Sequence, residues 1–233
     1  MTTKERPILF SGEMVRAIID GRKTQTRRVV KPQPVGHEFN PGNVQPAFVE
    51  PQTLKGYLAV GVKTMNADRF TYHRSPPYGV PGDHLWVRET IEVLSFGAGT
   101  AQIQYRADGS TRIIGDRKLP DRLGSIPSIH VPRQASRITL EVTDVRVERL
   151  QDISEGDAIA EGIHTANFTG WGDELGVPSF PEPDVYCDYS DKYGGWLESA
   201  ALSFQSLWKS INGEGSWDAN PWVWVVEFKE VKP

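Results

Sequence analysis

Gly21-Arg22-Lys23-Thr24-Gln25-Thr26-Arg27-Arg28 is the stretch from which the rest of the chain is read. From Arg22 to Lys31 the chain carries Arg22, Lys23, Arg27, Arg28 and Lys31 with no acid among them, and Thr24 and Thr26 are interleaved with those cations. A solvated basic face does not need this mixture, and a core strand would not tolerate it. The stretch reads as the floor of an anion- or nucleotide-binding site.

The residues before it supply a context. Pro7-Ile8-Leu9-Phe10 reads as a short extended segment. Ser11 is a good N-cap, Met14, Val15, Ile18 and Ile19 fall at helical spacing, and Gly21 stands where a C′ glycine belongs. A short helix therefore delivers the chain into the basic stretch.

Composition bounds the answer. A chain of 233 residues buries a core without disulfides or metal. Its hydrophobic fraction of 38% and charged fraction of 24% are those of a soluble globular protein. The single cysteine, Cys187, rules out an internal disulfide and a cysteine-based zinc cluster. No apolar leader opens the chain and no run approaches a membrane span, so a cytoplasmic, soluble protein is expected. The net charge of −4 argues against a protein that coats long nucleic acid. That average conceals a division: residues 141–200 hold 14 acids against 3 bases, whereas residues 1–40 hold 8 bases against 4 acids. One positive cleft on an acidic body favours a small anion or a single nucleotide over a duplex.

Further along, residues 32–81 are punctuated by eight prolines and read as a long excursion packed on the body, with a short hairpin near 57–73 and the possible role of a lid. Pro81-Gly82-Asp83 opens a strand predicted over His84–Val93, with Leu85, Val87, Ile91 and Val93 on one parity. Glu89 shares that apolar parity, so its carboxylate needs an inward arginine or lysine; a structural ion pair and a site role both stay open. Ala101–Tyr105 suggests another strand. Ser128, His130 and Arg133 lie in a proline-bracketed loop. Ser136–Leu150 is the longest strand pattern, and its parity switches at Thr143-Asp144, which predicts a bulge or bend. Ser154-Glu155-Gly156-Asp157 starts a short helix that ends at Glu161-Gly162. Residues 165–196 form a second irregular insertion. Ala200–Ile211 reads as a helix with Phe204, Leu207, Trp208 and Ile211 on one face, and a final strand carries Trp222, Trp224, Val226 and Phe228 on one parity. Strands spread along the whole chain predict an α+β fold. Its body is a small barrel of about five or six mostly antiparallel strands with short flanking helices and long insertions, one domain over 1–233.

Several chemistries are disfavoured. The five histidines are dispersed without ligand spacing, and neither a P-loop nor a GxGxxG run occurs, so no metal and no cofactor are expected. Ser128 and His130, two apart, would face one cavity if the segment were extended, but without a GxSxG elbow backbone-capping roles compete. Lys23 and Thr26 are three apart and share a side only if the chain turns there. Given that turn, a lysine depressed in pKa by Arg22, Arg27 and Arg28 could take the proton of Thr26, and a nearby carboxylic acid could protonate a leaving amine. The plain alternative, cations gripping phosphate, has equal standing on chemistry alone.

GRKTQTRR resembles the GxKxx[ET]xR signature of the ASCH domain, a PUA-like β-barrel family. PILFSGEMVRAIIDGRKTQTRRVVKP, PGDHLWVRE, IPSIHVPRQASRITLEV, RLQDISEGDAIAEGI and NPWVWVVEF are similar to its longer phage and prophage members, over about half the chain. The resemblance implies a PUA-like barrel and a nucleoside- or RNA-related role. In the family's N(4)-acetylcytidine amidohydrolases a Lys accepts a proton, a Thr three residues later is the nucleophile and a Glu from a later helix donates a proton. That assigns these roles to Lys23, Thr26 and Glu161, with Glu89 as the alternative carboxylate. Many ASCH proteins carry Glu where Thr26 stands, so the Thr favours the amidohydrolase-like variant. Substrate-binding candidates are Arg22, Arg28, Trp86, Glu89, Ser128, His130 and Arg133, the arginines for phosphate and Trp86 for stacking on a base. The expected partner is a nucleoside, single-stranded RNA or a modified base, with no membrane and no metal. A non-catalytic RNA or modified-base binding module and a ribonuclease are the competing functions.

Overall fold

In the computed structural model of the chain, residues 3–33, 45–49, 59–63, 76–168, 180–191 and 195–232 are described. Most of the insertion predicted at 32–81 lies outside those residues; of the irregular one predicted at 165–196, residues 165–168, 180–191 and 195–196 are described, and they carry β-strands. In chain order the elements begin with β1 (Glu5–Leu9), α1 (Gly12–Ile19), β2 (Gln25–Val29), β3 (Gln45–Val49) and β4 (Ala59–Lys63). Next come β5 (His84–Arg88), β6 (Ile91–Gly97), β7 (Thr100–Tyr105), β8 (Thr111–Gly115), β9 (Gly124–Ile126) and β10 (Thr139–Arg149). The chain continues through α2 (Glu155–Ala160), β11 (Thr165–Phe168), β12 (Phe180–Cys187), β13 (Trp196–Leu197), α3 (Ala200–Asn212) and β14 (Trp222–Glu230). This is an α+β fold with mostly antiparallel sheets and few helices. Among the described residues no helix is long and apolar enough to cross a membrane.

The chain divides into two compact units. The first comprises Met1–Gly21, Gly36–Arg146 and Val226–Pro233; the second comprises Arg22–Val35 and Val147–Val225. β10 and β14 each continue from one unit into the other.

Within the first unit the strand order is β1-β5-β10-β14. β1 runs parallel to β5 and pairs Pro7 with Trp86, and β10 is antiparallel to β5 and pairs Thr139 with Trp86. A second sheet has the order β8-β7-β6-β9, all antiparallel, and a separate antiparallel pair joins β3 to β4. α1 forms as its sequence predicts: the Ser11 hydroxyl accepts from the Met14 N–H, and Gly21 adopts the left-handed φ of 74° that ends the helix. Val15, Ala17 and Ile18 are its buried face, while Ile19 is exposed.

The strand expected over His84–Val93 is instead two strands, β5 and β6, that leave for different sheets at Glu89-Thr90. The alternation survives the break, because Leu85, Val87, Ile91 and Val93 are all buried. Glu89 is the inward carboxylate of that parity. Its partner is Arg137, whose Nε and Nη2 donate to Oε1 and Oε2 at 2.8 and 2.9 Å. β4 falls inside the span 57–73 where a hairpin is expected and pairs with β3; the rest of that span lies outside the described residues.

β10 bears the predicted parity switch. Leu140 and Val142 are buried, Thr143 and Asp144 are both exposed, and Val145 and Val147 are buried, all within one continuous strand. Two consecutive outward residues let one strand present opposite parities to the core without leaving the ladder.

The second unit has the strand order β10-β14-β2 and a small sheet of order β11-β12-β13. Its core gathers Leu150, Ile153, Ala158, Ile163, Tyr186, Ala200, Phe204, Trp208, Val223 and Val225. β14 is buried continuously from Trp222 to Val226 rather than on one parity alone. α3 buries Ala200, Ser203, Phe204, Ser206 and Trp208, and leaves Ile211 exposed at 54%, contrary to the expected face. The helix is held at its start by α2: the Glu155 carboxylate accepts from the Ala200 N–H at 2.7 Å and from the Ser199 hydroxyl. A carboxylate there meets the positive end of the helix dipole.

Candidate functional site

The last turn of α2 leaves carbonyl groups without helical partners, as every helix end does. The basic stretch supplies the donors in order. Arg22 Nη1 donates to the Gly162 carbonyl (3.1 Å), Lys23 Nζ to that of Glu161 (2.6 Å) and the Thr24 N–H to that of Ala160 (2.8 Å), while Gln25 Nε2 adds a second donor (2.9 Å) to the Asp157 carbonyl, which already accepts from the Glu161 N–H. A cationic segment at the negative end of a helix dipole is the favourable placement. Much of what reads as an anion-binding floor is, in the fold, the cap of α2.

Glu161 is the C-cap residue of α2, and its carboxylate lies between two cations. Lys23 Nζ donates to Oε2 at 2.8 Å and Arg27 Nη1 to Oε1 at 3.3 Å. All three side chains are enclosed: those of Lys23 and Arg27 are 0% exposed and that of Glu161 is 4% exposed. Arg27 goes on to Glu148 Oε2 at 3.0 Å and Asp157 Oδ2 at 3.3 Å, and its guanidinium lies 5.9 Å from the centre of the Phe204 ring. β2 and β10 are separated by β14, a span of about 10 Å. Arg27 on one strand and Glu148 on the other bridge it.

Lys23 is held below the ordinary lysine pKa. Burial is the main cause and the neighbouring cations Arg28 and Arg27 add to it, while the charge and hydrogen bond of Glu161 work the other way. The expectation that the arginines alone would depress this lysine is thus amended, since desolvation leads. A downward shift is the direction that suits a lysine to accept a proton.

Thr26 is 2% exposed and sits one residue inside β2. Alternation along the strand puts Gln25 and Arg27 on the face that meets α2, and Thr26 and Arg28 on the other. Lys23 precedes the strand, so alternation does not dictate its direction, but its amine shares the Glu161 carboxylate with Arg27 and so lies on the α2 side. Arg28 is partly exposed.

The remaining candidates belong to the first unit, each with partners of its own. Glu89 is engaged by Arg137, whose Nη1 donates to Asp108 Oδ2 at 2.7 Å and whose guanidinium stacks 4.0 Å from the centre of the Tyr105 ring. Burial lowers the Arg137 pKa, but the hydrogen bonds of Glu89 and Asp108 outweigh it and raise the net value; Arg137 in turn pulls Asp108 down to about 2. Burial pushes the Tyr105 phenol up. Ser128 and His130 do not lie in an extended segment. They occupy a 3-10 helix over Ser128–His130, where residues two apart point in different directions, so the shared-cavity geometry is lost. Arg133 is paired through Nε and Nη2 with the Glu5 carboxylate at 3.0 and 3.2 Å. The guanidinium groups of Arg88 and Arg133 lie 5.4 and 5.9 Å from the Trp86 ring centre, so the indole is flanked by cations.

Three members of the cluster, the buried Gln25 and the partly exposed Glu148 and Asp157, went unread as site residues. Asp157 carried a signal only as a capping acid, three residues after Ser154. Glu148 carried none, because its meeting with Arg27 depends on a strand order that is not local. Among the described residues no three of His, Cys, Asp or Glu are grouped to hold a metal ion. No family model, curated protein or solved structure matches the chain.

Proposed function

We propose that the chain is an ASCH-type protein of the PUA-like barrel class that hydrolyses an acylated exocyclic amine on a cytidine-like nucleoside or base. The observation that carries this reading is the enclosed contact of 2.8 Å between Lys23 Nζ and Glu161 Oε2, with the lysine depressed in pKa and a threonine three residues on. The signature spacing in GRKTQTRR supports it independently.

In this reading Thr26 Oγ1 attacks the acyl carbon, and a water relays its proton to the neutral Lys23 amine on the α2 side of the strand. The C–N bond breaks and its electron pair leaves with the exocyclic nitrogen. The proton held by Lys23 crosses to Glu161, and Glu161 delivers it to that nitrogen. Water then attacks the Thr26 ester, with Lys23 again taking a proton, and releases the carboxylic acid and the free hydroxyl. The net change is amide plus water to acid plus amine. Arg28, on the strand face of Thr26, is the arginine of the signature and the candidate contact for the ligand. Arg22 and Arg27 are committed to protein acceptors.

A second reading, a non-catalytic module for single-stranded RNA or a modified base, is favoured by the Trp86 indole with Arg88 and Arg133 beside it. Incubation with N(4)-acetylcytidine and related acylated nucleosides, followed by chromatography, separates the two. Cytidine released together with an equal amount of acetate supports hydrolysis. Salt-sensitive retention of single strands, lost in Trp86→Ala, with every acylated nucleoside returned intact, replaces it with the binding module.

A further inference from the structure

Glu161 has to present one carboxylate oxygen to Lys23 and keep it there. A carboxylate on a C-cap residue, at the unfavourable end of a helix dipole, has no local reason to do so. The constraint comes from Arg27. Its Nη1 takes Oε1 of Glu161, which leaves Oε2 on the Lys23 amine, and its Nη2 is itself tied to Glu148 Oε2 on β10 and Asp157 Oδ2 on α2. The Phe204 ring of α3 lies against the guanidinium. With partners from β10, α2 and α3, the guanidinium has little freedom to turn.

We infer that Arg27 is a positioning residue: its fork, anchored on Glu148 and Asp157, orients the Glu161 carboxylate toward Lys23. The inference rests on the amide-hydrolysis reading of Lys23, Thr26 and Glu161. Arg27 occupies the unspecified position of the GxKxx[ET]xR pattern, so the signature itself does not assign it a role. Its Nη1 and Nη2 are taken up by Glu161, Glu148 and Asp157, so they are spent on protein acceptors rather than on substrate. Lysine in its place would carry the charge but not the fork.

Arg27 also acts on the amine. The charged groups around Lys23 are Glu161 at the end of α2 and Arg27 and Arg28 on β2, and the two arginines lower its pKa. Removing Arg27 takes away one of those cations but also frees Glu161, whose upward pull is the larger, so the lysine titrates at a lower pH in the variant.

The test uses the full chain, with Arg27→Met, Arg27→Lys, Glu148→Gln and Asp157→Asn, and two readouts. The first is the pH profile of kcat and KM for N(4)-acetylcytidine; the second is the titration of the Lys23 amine followed by NMR, which does not depend on turnover. Arg27→Met is expected to lower kcat by roughly tenfold to hundredfold, the scale of a small misplacement in an active site, with KM little changed and the limb set by Lys23 moved to lower pH. Arg27→Lys recovers part of kcat. Glu148→Gln and Asp157→Asn, changed at the more open end of the fork, give smaller shifts in the same direction. Turnover whose kcat and pH profile are unaltered in Arg27→Met overturns the inference and leaves the hydrolase reading standing. If the wild-type protein turns nothing over, the hydrolase reading fails. The amine titration then decides whether Arg27 governs the Lys23–Glu161 pair: an unmoved Lys23 in Arg27→Met overturns the inference. Should Arg27→Met not fold, the Glu148→Gln and Asp157→Asn titrations decide by the same criterion.

Discussion

Glu161 sits where a carboxylate meets the negative end of a helix, and Lys23 and Arg27 offset that cost. Taking away one member of an enclosed ion pair leaves the other desolvated and unpaired, which costs about 3–5 kcal/mol. Glu161→Gln is therefore expected to be strongly destabilising at neutral pH. The sign of its pH dependence follows from Lys23. The folded pKa of this amine lies below its unfolded value, so between the two the unfolded chain holds the extra proton and stability rises with pH. Losing Glu161 removes the group that holds the pKa up and widens that window downward. Denaturant unfolding of Glu161→Gln and wild type from about pH 6 to about pH 10 should show a deficit that narrows as pH rises; a deficit that grows with pH contradicts the assignment. Asp108 has the opposite sign. Its folded pKa of about 2 lies below the ordinary value of 3.8 because Arg137 and Ser110 bond the ionised form. It thus contributes stability that is present above about pH 4 and lost as the pH falls toward 2. Thermal melts of Asp108→Asn should fall below wild type at neutral pH and converge with it across that acid window.

At the scale of elements, α2, α3 and β2 depend on one another through a few side chains. Phe204 packs in the core of the second unit and against the Arg27 guanidinium. Phe204→Ala should cost about 3–5 kcal/mol, measured by denaturant midpoint, because it opens a cavity and loosens the arginine together. α1, α2 and α3 were legible in the sequence because their signals are local: Ser11 and Ser154 each accept from a backbone N–H of the first turn, and α3 shows in its apolar spacing. The strand alternation through Leu85, Val87, Ile91 and Val93 was legible for the same reason. The parting of β5 from β6 was not, since alternation continues through Glu89 while the pairing partners change. β8 and β9 were missed: β9 has only three residues, and Thr111–Gly115 carries one buried side chain, Ile114. The pairing of Lys23 with Glu161 was reached from a family pattern, not from spacing, because the two are 138 residues apart. The use of the basic stretch as a helix cap had no local signal at all, since it requires knowing which carbonyls lie opposite.

Across the whole molecule, charge and chemistry point the same way. A chain of net charge −4 whose cations at 22, 23 and 27 are turned inward offers little to a polyanion. A hydrolase acting on a free nucleoside should show kcat/KM nearly independent of ionic strength, whereas a polynucleotide substrate would impose a log-linear fall with salt. The central claim is that Lys23 does more than cap α2 and serves as the proton acceptor. Lys23→Arg tests this most directly, because arginine keeps the cation and can still donate to Glu161 but cannot lose its proton. Cytidine release from N(4)-acetylcytidine should be abolished in Lys23→Arg while its thermal melt remains cooperative. Release by Lys23→Arg at the wild-type rate would contradict the account.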